Sequence, residues 1–400
     1  MNILKKFYCR TYQIVFRAIL PFLPYRQPQI LEDNNEVIEA LKSNKKTSVF
    51  FVTDKNIRGL KLTNALETAL LENNFNLFVF DNVMPNPTVS AIEDATKEYL
   101  SHNCDCIIAC GGGSVIDLAK IVGARVVKPN KTVNQMKGLL KIRKKLPTFI
   151  AIPTTAGTGS ETTLAAVITD DKTHYKYTIN DFSLIPHYAL LDYNLTIGLN
   201  PFITSTTGMD ALTHAIEAYI GRSTTKKTRQ ASLTAIKLIK ENLVEAFNNG
   251  LNKKARQNML KASFLAGVAF TQSYVGYVHA IAHSLGGKYG VPHGLANAII
   301  LPLMLKEYGK SAEKKLNKIA LYIGISNKSD SAFVGANKLI LWIEDLNKKF
   351  NIPNFIEQLN KEDILDLATK ANSEANPLYP VPKLMDTNEL SNFYLKLIKH

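Results

Sequence analysis

Asp105-Cys-Ile-Ile-Ala-Cys110-Gly-Gly-Gly-Ser114-Val-Ile-Asp117-Leu-Ala-Lys120 passes from an apolar, strand-like run through three consecutive glycines into a stretch of helical period. A buried strand that turns over glycines into a helix lets backbone N–H groups approach an anion at the positive end of the helix dipole. A nucleotide pyrophosphate is the natural guest. The spacing is not Gly-x-Gly-x-x-Gly, so a tight turn without a ligand stands as the other reading of these residues. Upstream, residues 48–53 (SVFFVT) and 75–81 (FNLFVFD) read as strands, and residues 57–71 and 88–102 as helices. That rhythm predicts a parallel sheet with covering helices. Downstream, residues 148–152, 166–169, 175–179 and 188–192 extend the strand pattern less regularly.

Beyond about residue 200 the strand signals stop. Residues 206–220, 228–247, 253–269, 278–285, 293–305 and 310–323 read as helices punctuated by Gly or Pro. The expected organisation is therefore an α/β nucleotide-binding domain with a parallel sheet, preceded by an N-terminal extension (residues 1–198), and an all-helical domain (residues 199–400). A length of 400 residues suits two domains.

The chain carries 48 Lys+Arg against 34 Asp+Glu, a formal charge of +14. That balance raises nucleic acid, an anionic membrane surface or an anionic ligand as partners. Nine of the basic residues (Lys120, Arg125, Lys128, Lys131, Lys137, Lys141, Arg143, Lys144 and Lys145) fall between residues 118 and 160, where there is no acid. Most of them read as a solvated loop; their field drawing in an anionic cofactor is the second reading. Cys9, Cys104, Cys106 and Cys110 are too few to staple a chain of this size, which points to a reducing compartment, and the last three read as buried thiols. Residues 1–25 are basic and apolar, but Arg17 interrupts the run and no stretch reaches the roughly 20 apolar residues of a membrane span. A packed extension and a weak membrane-surface contact are both readings of that segment, and the protein is expected to be cytoplasmic, with no integral membrane span.

A second hydroxyl-rich turn, Pro153-Thr-Thr-Ala-Gly-Thr-Gly-Ser-Glu161, also follows a strand and suits phosphate or ribose oxygens. Asp54 ends the first strand. An acid there can accept from both ribose hydroxyls and repels a phosphate, which favours NAD over NADP; its alternative is a plain helix cap. In the helical half, Asp210 and His214 stand four apart among small apolar residues, so they share one buried helix face and require a partner or a metal. Three of the eight histidines, His279, His283 and His293, fall within fifteen residues. Taken singly each reads as an interior histidine. Taken together, Asp210, His214, His279 and His293 can surround one divalent ion, and one carboxylate with three imidazoles suits Fe2+ or Zn2+ alike.

With these motifs in view, GGGSVIDLAK, IPTTAGTGSE, GMDALTHAIEAY and HAIAHSLGGKYGVPHG resemble, in order and spacing, the iron-containing (group III) alcohol dehydrogenase family. The resemblance runs from about Thr47 to the PVPKLM segment. It implies Asp54 on the adenosine ribose and Gly111, Gly112, Gly113 and Ser114 on the pyrophosphate, with Asn86, Asp117, Thr154, Thr155, Thr163 and Lys176 also lining the NAD. It further implies Asp210, His214, His279 and His293 as metal ligands, His283 as a non-ligand candidate for proton transfer, Phe270 as a pocket aromatic, and a homodimer. The expected activity is hydride transfer between NAD and a small alcohol or aldehyde. The rivals weighed are a metal- and NAD-dependent lyase of the dehydroquinate synthase type and a basic nucleic-acid-binding protein. The longer N-terminus and Val115-Ile116 depart from the family pattern.

Overall fold

The computed structural model describes residues 1–171 and 176–399, and these form two compact units, Pro24–Gly198 and Met1–Leu23 with Leu199–His400. The first 23 residues thus belong with the helical unit. Grouping them with the α/β unit, as in the expected 1–198 division, is corrected. The reason is visible in helix α1 (Ile3–Ile19), where Arg10 donates to the carbonyls of Val381 (2.8 Å) and Pro382 (2.9 Å) and Gln13 donates to that of Tyr379 (2.8 Å).

In the α/β unit, β1 (Gln29–Leu31), α2 (Asn34–Ser43), β2 (Ser48–Val52), α3 (Lys55–Gly59), α4 (Asn64–Glu72), β3 (Asn76–Phe80), α5 (Val89–Ser101), β4 (Cys106–Gly111) and α6 (Gly113–Val127) follow in turn. The expected helix over 57–71 is two helices, because Lys61 takes a left-handed backbone (φ 59°) between α3 and α4. Then come β5 (Gly138–Leu139), β6 (Thr148–Pro153), β7 (Ala165–Thr169), β8 (Lys176–Asn180) and β9 (Tyr188–Leu190). Tyr175, the expected start of β8, lies outside the described residues.

Six strands in the order β1-β9-β6-β4-β2-β3 make one sheet, parallel at every pairing. A small second sheet, β5-β8-β7, stands apart from the parallel sheet, and in it β7 and β8 run antiparallel. Alternation along β4 sends Ile107 and Ala109 into the core under α5 and α6, and Cys106, Ile108 and Cys110 into the opposite core with α2 and α4. All four cysteines are buried, and none is in a disulfide. One basic residue of the 118–160 stretch is not solvated at all: Lys120 is fully buried.

The helical unit holds α7 (Pro201–Ile220), α8 (Lys226–Asn248), α9 (Lys253–Ser273), α10 (Tyr277–Tyr289), α11 (His293–Tyr308), α12 (Lys310–Tyr322), α13 (Ala332–Lys349), α14 (Ile364–Ala375) and α15 (Thr387–Leu395). Helix α7 starts on an Asn200 side-chain cap with Pro201 in the first turn, and it is surrounded by α8, α9 and α11. Pro302 sits inside α11, where its missing N–H releases the carbonyl of Ala298. Asn347 of α13 donates to that carbonyl at 2.7 Å. Asn347→Leu is expected to leave it unpaired and cost about 1–3 kcal/mol in chemical denaturation; an unchanged denaturation midpoint would show that the bond carries no stability.

Candidate active site

Helices α7, α10 and α11 bring four side chains to one point. The ligand atoms of Asp210, His214, His279 and His293 lie within 4.8 Å of one another. From Asp210 Oδ1, the nearest nitrogens of His293, His279 and His214 stand at 3.5, 3.7 and 3.8 Å. These separations are close to the roughly 3.4 Å edge of a tetrahedron with arms of about 2.1 Å. They are too long for good hydrogen bonds, and His214 Nδ1 and His279 Nε2 are buried with no hydrogen-bond partner. Two orphaned imidazole nitrogens aimed at one carboxylate are costly in a dry interior unless an ion takes their lone pairs. The residues therefore fit a divalent metal.

Close approach of the helices makes this meeting. A Cβ on Gly294 would sit 2.3 Å from the Thr206 carbonyl oxygen, so only glycine lets the start of α11, with His293, lie against α7. His293 thereby lies at the same point as His279. One turn along α11, Asn297 Nδ2 donates to Asp210 Oδ1 at 2.7 Å and stands 3.1 Å from His293 Nε2. Phe270 stacks on His214 with ring centroids 4.0 Å apart, and His214 stacks on His279 at 4.3 Å.

Glu217 was not singled out from the sequence. It lies two turns beyond Asp210 on α7 and is 3% exposed. Its Oε2 accepts from Gly276 N (2.9 Å) and His279 Nδ1 (2.6 Å), and its Oε1 accepts from Val278 N (2.9 Å). A carboxylate cannot donate, so Nδ1 carries the proton and Nε2 is the atom turned to Asp210. A Cβ on Gly276 would meet Glu217 Oε1 at 2.6 Å, so a larger residue there would have to displace the Glu217 carboxylate. The charges oppose one another. Burial raises the Asp210 carboxyl, but the three imidazoles hold it far below the usual carboxylate range. Without an ion between them, burial pushes His214 down to about 3, whereas for His279 burial is outweighed by the Asp210 and Glu217 carboxylates, which push it up to about 9, so an ion binding there displaces the Nε2 proton.

His283 stands outside the four. Its Nδ1 is 2.6 Å from Glu374 Oε1, the same oxygen that accepts from the Tyr379 hydroxyl at 2.7 Å, and its ring stacks on His293 at 5.1 Å.

The proposed cofactor residues divide by geometry. Asn86 has a left-handed backbone (φ 59°), and its N–H donates to Ser114 Oγ at 3.3 Å, so these two meet at the start of α6 beside Gly112 and Gly113. Asp54 caps α3, its Oδ1 accepting from Asn56 N (2.9 Å) and Ile57 N (3.0 Å). Asp117 is engaged inward, accepting from Ser160 Oγ at 2.6 Å and Val167 N at 2.9 Å. Thr163 Oγ1 accepts from Lys120 Nζ at 2.8 Å. Ser160 Oγ, Thr163 O and Ala165 O also lie within 3.1 Å of Lys120 Nζ, so its three N–H groups are shared among four acceptors, and burial lowers its pKa to about 8. Lys120 ties the helix that follows the glycine turn to the second turn. Thr154 is buried, and Thr155 and Lys176 are half-buried.

Comparison with known proteins supplies the context. Residues 28–193 match the iron-containing alcohol dehydrogenase family model, and residues 204–398 match that of the family's C-terminal domain. The chain is 34% identical over 371 residues to 1,3-propanediol dehydrogenase of Citrobacter freundii, covering 91% of this chain and 95% of that one. It is 33% identical over 336 residues to the NAD-dependent methanol dehydrogenase of Bacillus methanolicus, covering 84% and 88%. A crystal structure of a 1,3-propanediol oxidoreductase superposes with a TM-score of 0.89 at 32% identity, covering 94% of this chain and 99% of that one. The lyase and nucleic-acid readings gain no support from these matches. Matched by family models over most of its length and by a relative 34% identical over 371 residues, the chain belongs to the iron-containing alcohol dehydrogenase family, which its cluster of one Asp and three His fits.

Proposed function

We propose that this protein interconverts a small primary or secondary alcohol and its carbonyl product with NAD, using Fe2+, or Zn2+ as the alternative, held by Asp210, His214, His279 and His293. The observation that supports this most is the pair of orphaned imidazole nitrogens facing a buried carboxylate. When bound, the ion supplies Lewis acidity toward an alcohol or carbonyl oxygen, and NAD supplies the hydride acceptor.

The chain's own residues do the rest. Glu217 fixes the tautomer and plane of His279. Phe270 holds the His214 ring by stacking and keeps that side apolar. His283, its Nδ1–H directed to Glu374, uses Nε2 to take the hydroxyl proton as the alcohol loses hydride, and returns it in the reductive direction. The products of oxidation are the carbonyl compound, NADH and one proton.

On the cofactor side, Gly111, Gly112, Gly113, Ser114 and Asn86 would cradle the pyrophosphate. Thr154, Thr155 and Lys176 would reach ribose and phosphate oxygens. Asp117 and Thr163 would act through Ser160 and Lys120. Asp54 spends one oxygen on the helix cap and keeps the other for the ribose. Four buried cysteines outside any disulfide support a cytoplasmic setting, and the family resemblance supports a homodimer, which light scattering tests.

The reading is tested by following NADH absorbance on purified protein loaded with Fe2+ or Zn2+, across a panel of alcohols and aldehydes. Turnover with at least one pairing is expected, and none with any pairing would overturn it. Asp54→Gly is expected to shift the NAD-to-NADP preference by about tenfold or more toward NADP, since it removes the charge that repels a ribose phosphate. Unchanged selectivity would remove Asp54 from the ribose.

A further inference from the structure

Helix α1 is amphipathic in the reverse sense to a core helix. Its buried positions are Cys9 and Gln13, and it is held down largely by polar bonds: Arg10 and Gln13 donate to carbonyls of residues 379–382, and Ser223 Oγ donates to the Gln13 carbonyl at 3.2 Å. The outward face carries Ile3, Leu4, Phe7, Tyr8, Ile14 and Val15, which are between 51% and 85% exposed. At helical spacing these six fall within a sector of about 140°. Phe22, just beyond the helix, is 86% exposed and continues the apolar surface. Large apolar side chains grouped this way on the outside of a folded unit mark an interaction surface.

Charge indicates what the surface meets. Lys5 borders the apolar stripe on one side and Lys6 and Arg17 on the other, and all three are exposed. Residues 1–31 contain five basic residues and no acid. A second copy of this chain seated on the same face would bring Lys5, Lys6 and Arg17 of each copy around one apolar seam, with no acid in the segment to answer them. A bilayer with anionic headgroups answers both features at once. Its acyl boundary takes Phe7, Ile14 and their neighbours, and its phosphates take the flanking cations. No helix among the described residues is long and apolar enough to cross a membrane, so such a helix lies in the interface plane.

We propose that α1 is a membrane-surface element that seats its Ile3-to-Val15 face in the headgroup layer of an anionic phospholipid bilayer while its polar face stays fixed to the helical unit. This does not depend on the catalytic reading. The test is co-sedimentation of the full chain with sucrose-loaded vesicles of phosphatidylcholine alone or phosphatidylcholine mixed with phosphatidylglycerol. Binding to the mixed vesicles is expected to be at least about tenfold tighter than to the neutral ones. The double variant Phe7→Ser with Ile14→Ser is expected to lose about tenfold or more of that binding. Both side chains face outward, so its thermal unfolding is expected to match that of the unchanged protein. Absence of binding to mixed vesicles would overturn the proposal. So would equal binding by the double variant, which would reduce the effect to general charge. A smaller oligomer formed by the lipid-free double variant would likewise overturn it, because the face would then be an interface between protein copies.

Discussion

His279→Ala is expected to lose bound metal and dehydrogenase turnover together. His279 supplies one of the two orphaned nitrogens, and its ring stacks on His214 and lies tilted against that of His293, 5.4 Å away. Removing an outer partner of a metal ligand typically costs 10–100-fold in affinity, so removing a ligand outright should cost more than about 100-fold. Metal content after reconstitution and dialysis, read by elemental analysis beside NADH formation, checks this. His283→Ala provides the contrast. It lies outside the four ligand positions and pairs with Glu374, so the variant is expected to retain full metal content and lose about 10²–10⁴-fold in turnover. A fully active His279→Ala protein, or a His283→Ala protein without metal, would reverse the assignment of ligand and proton carrier.

Why those histidines were legible, while their supports were not, follows from the range over which each signal acts. Asp210 and His214 stand one turn apart, and the period of a single helix is enough to pair them. The β4 strand and its glycine turn were equally readable, because strand alternation and glycine punctuation are local. Residues 29–31 make only three strand positions, too short for a period, so β1 passed unread and the sheet was expected to begin near Thr47. The break at Lys61 is hidden for a related reason: the apolar pattern of 57–71 continues through it, and Gly59 is the one local sign that the helix ends. The grouping of residues 1–23 depended on bonds such as that from Arg10 to Val381, which no local pattern encodes. The partner of His279 Nδ1 lies 62 residues away. Asn297 was closer to reach, since it stands four residues after His293 on α11, a polar residue on the same face.

Glu217 is expected to set the metal affinity of the folded protein without being a ligand. It is a buried carboxylate with three donors, two of them backbone amides at the first turn of α10 and the third His279 Nδ1. The amides aim the start of α10, and the third bond fixes which imidazole nitrogen carries the proton. In Glu217→Gln the best placement keeps an oxygen at the Oε2 position, so Gly276 and His279 remain paired while the new NH2 opposes the Val278 N–H. The variant also loses the negative charge that makes His279 a better donor of its lone pair. A fall of about 10–100-fold in Zn2+ or Fe2+ affinity is expected, measured by competition with a chromophoric chelator. Stability of the metal-free protein should drop by about 1–3 kcal/mol in chemical denaturation. The two readouts separate positioning from scaffolding. If Glu217 only braced α10, the metal-free stability would fall while the folded protein kept its affinity, and that result would remove Glu217 from the metal centre. Glu217→Ala leaves all three donors unpaired around a cavity and should show the larger loss in both measurements. The affinity term should follow His279 alone, so in a His279→Ala background the Glu217→Gln change should have no further effect on metal binding.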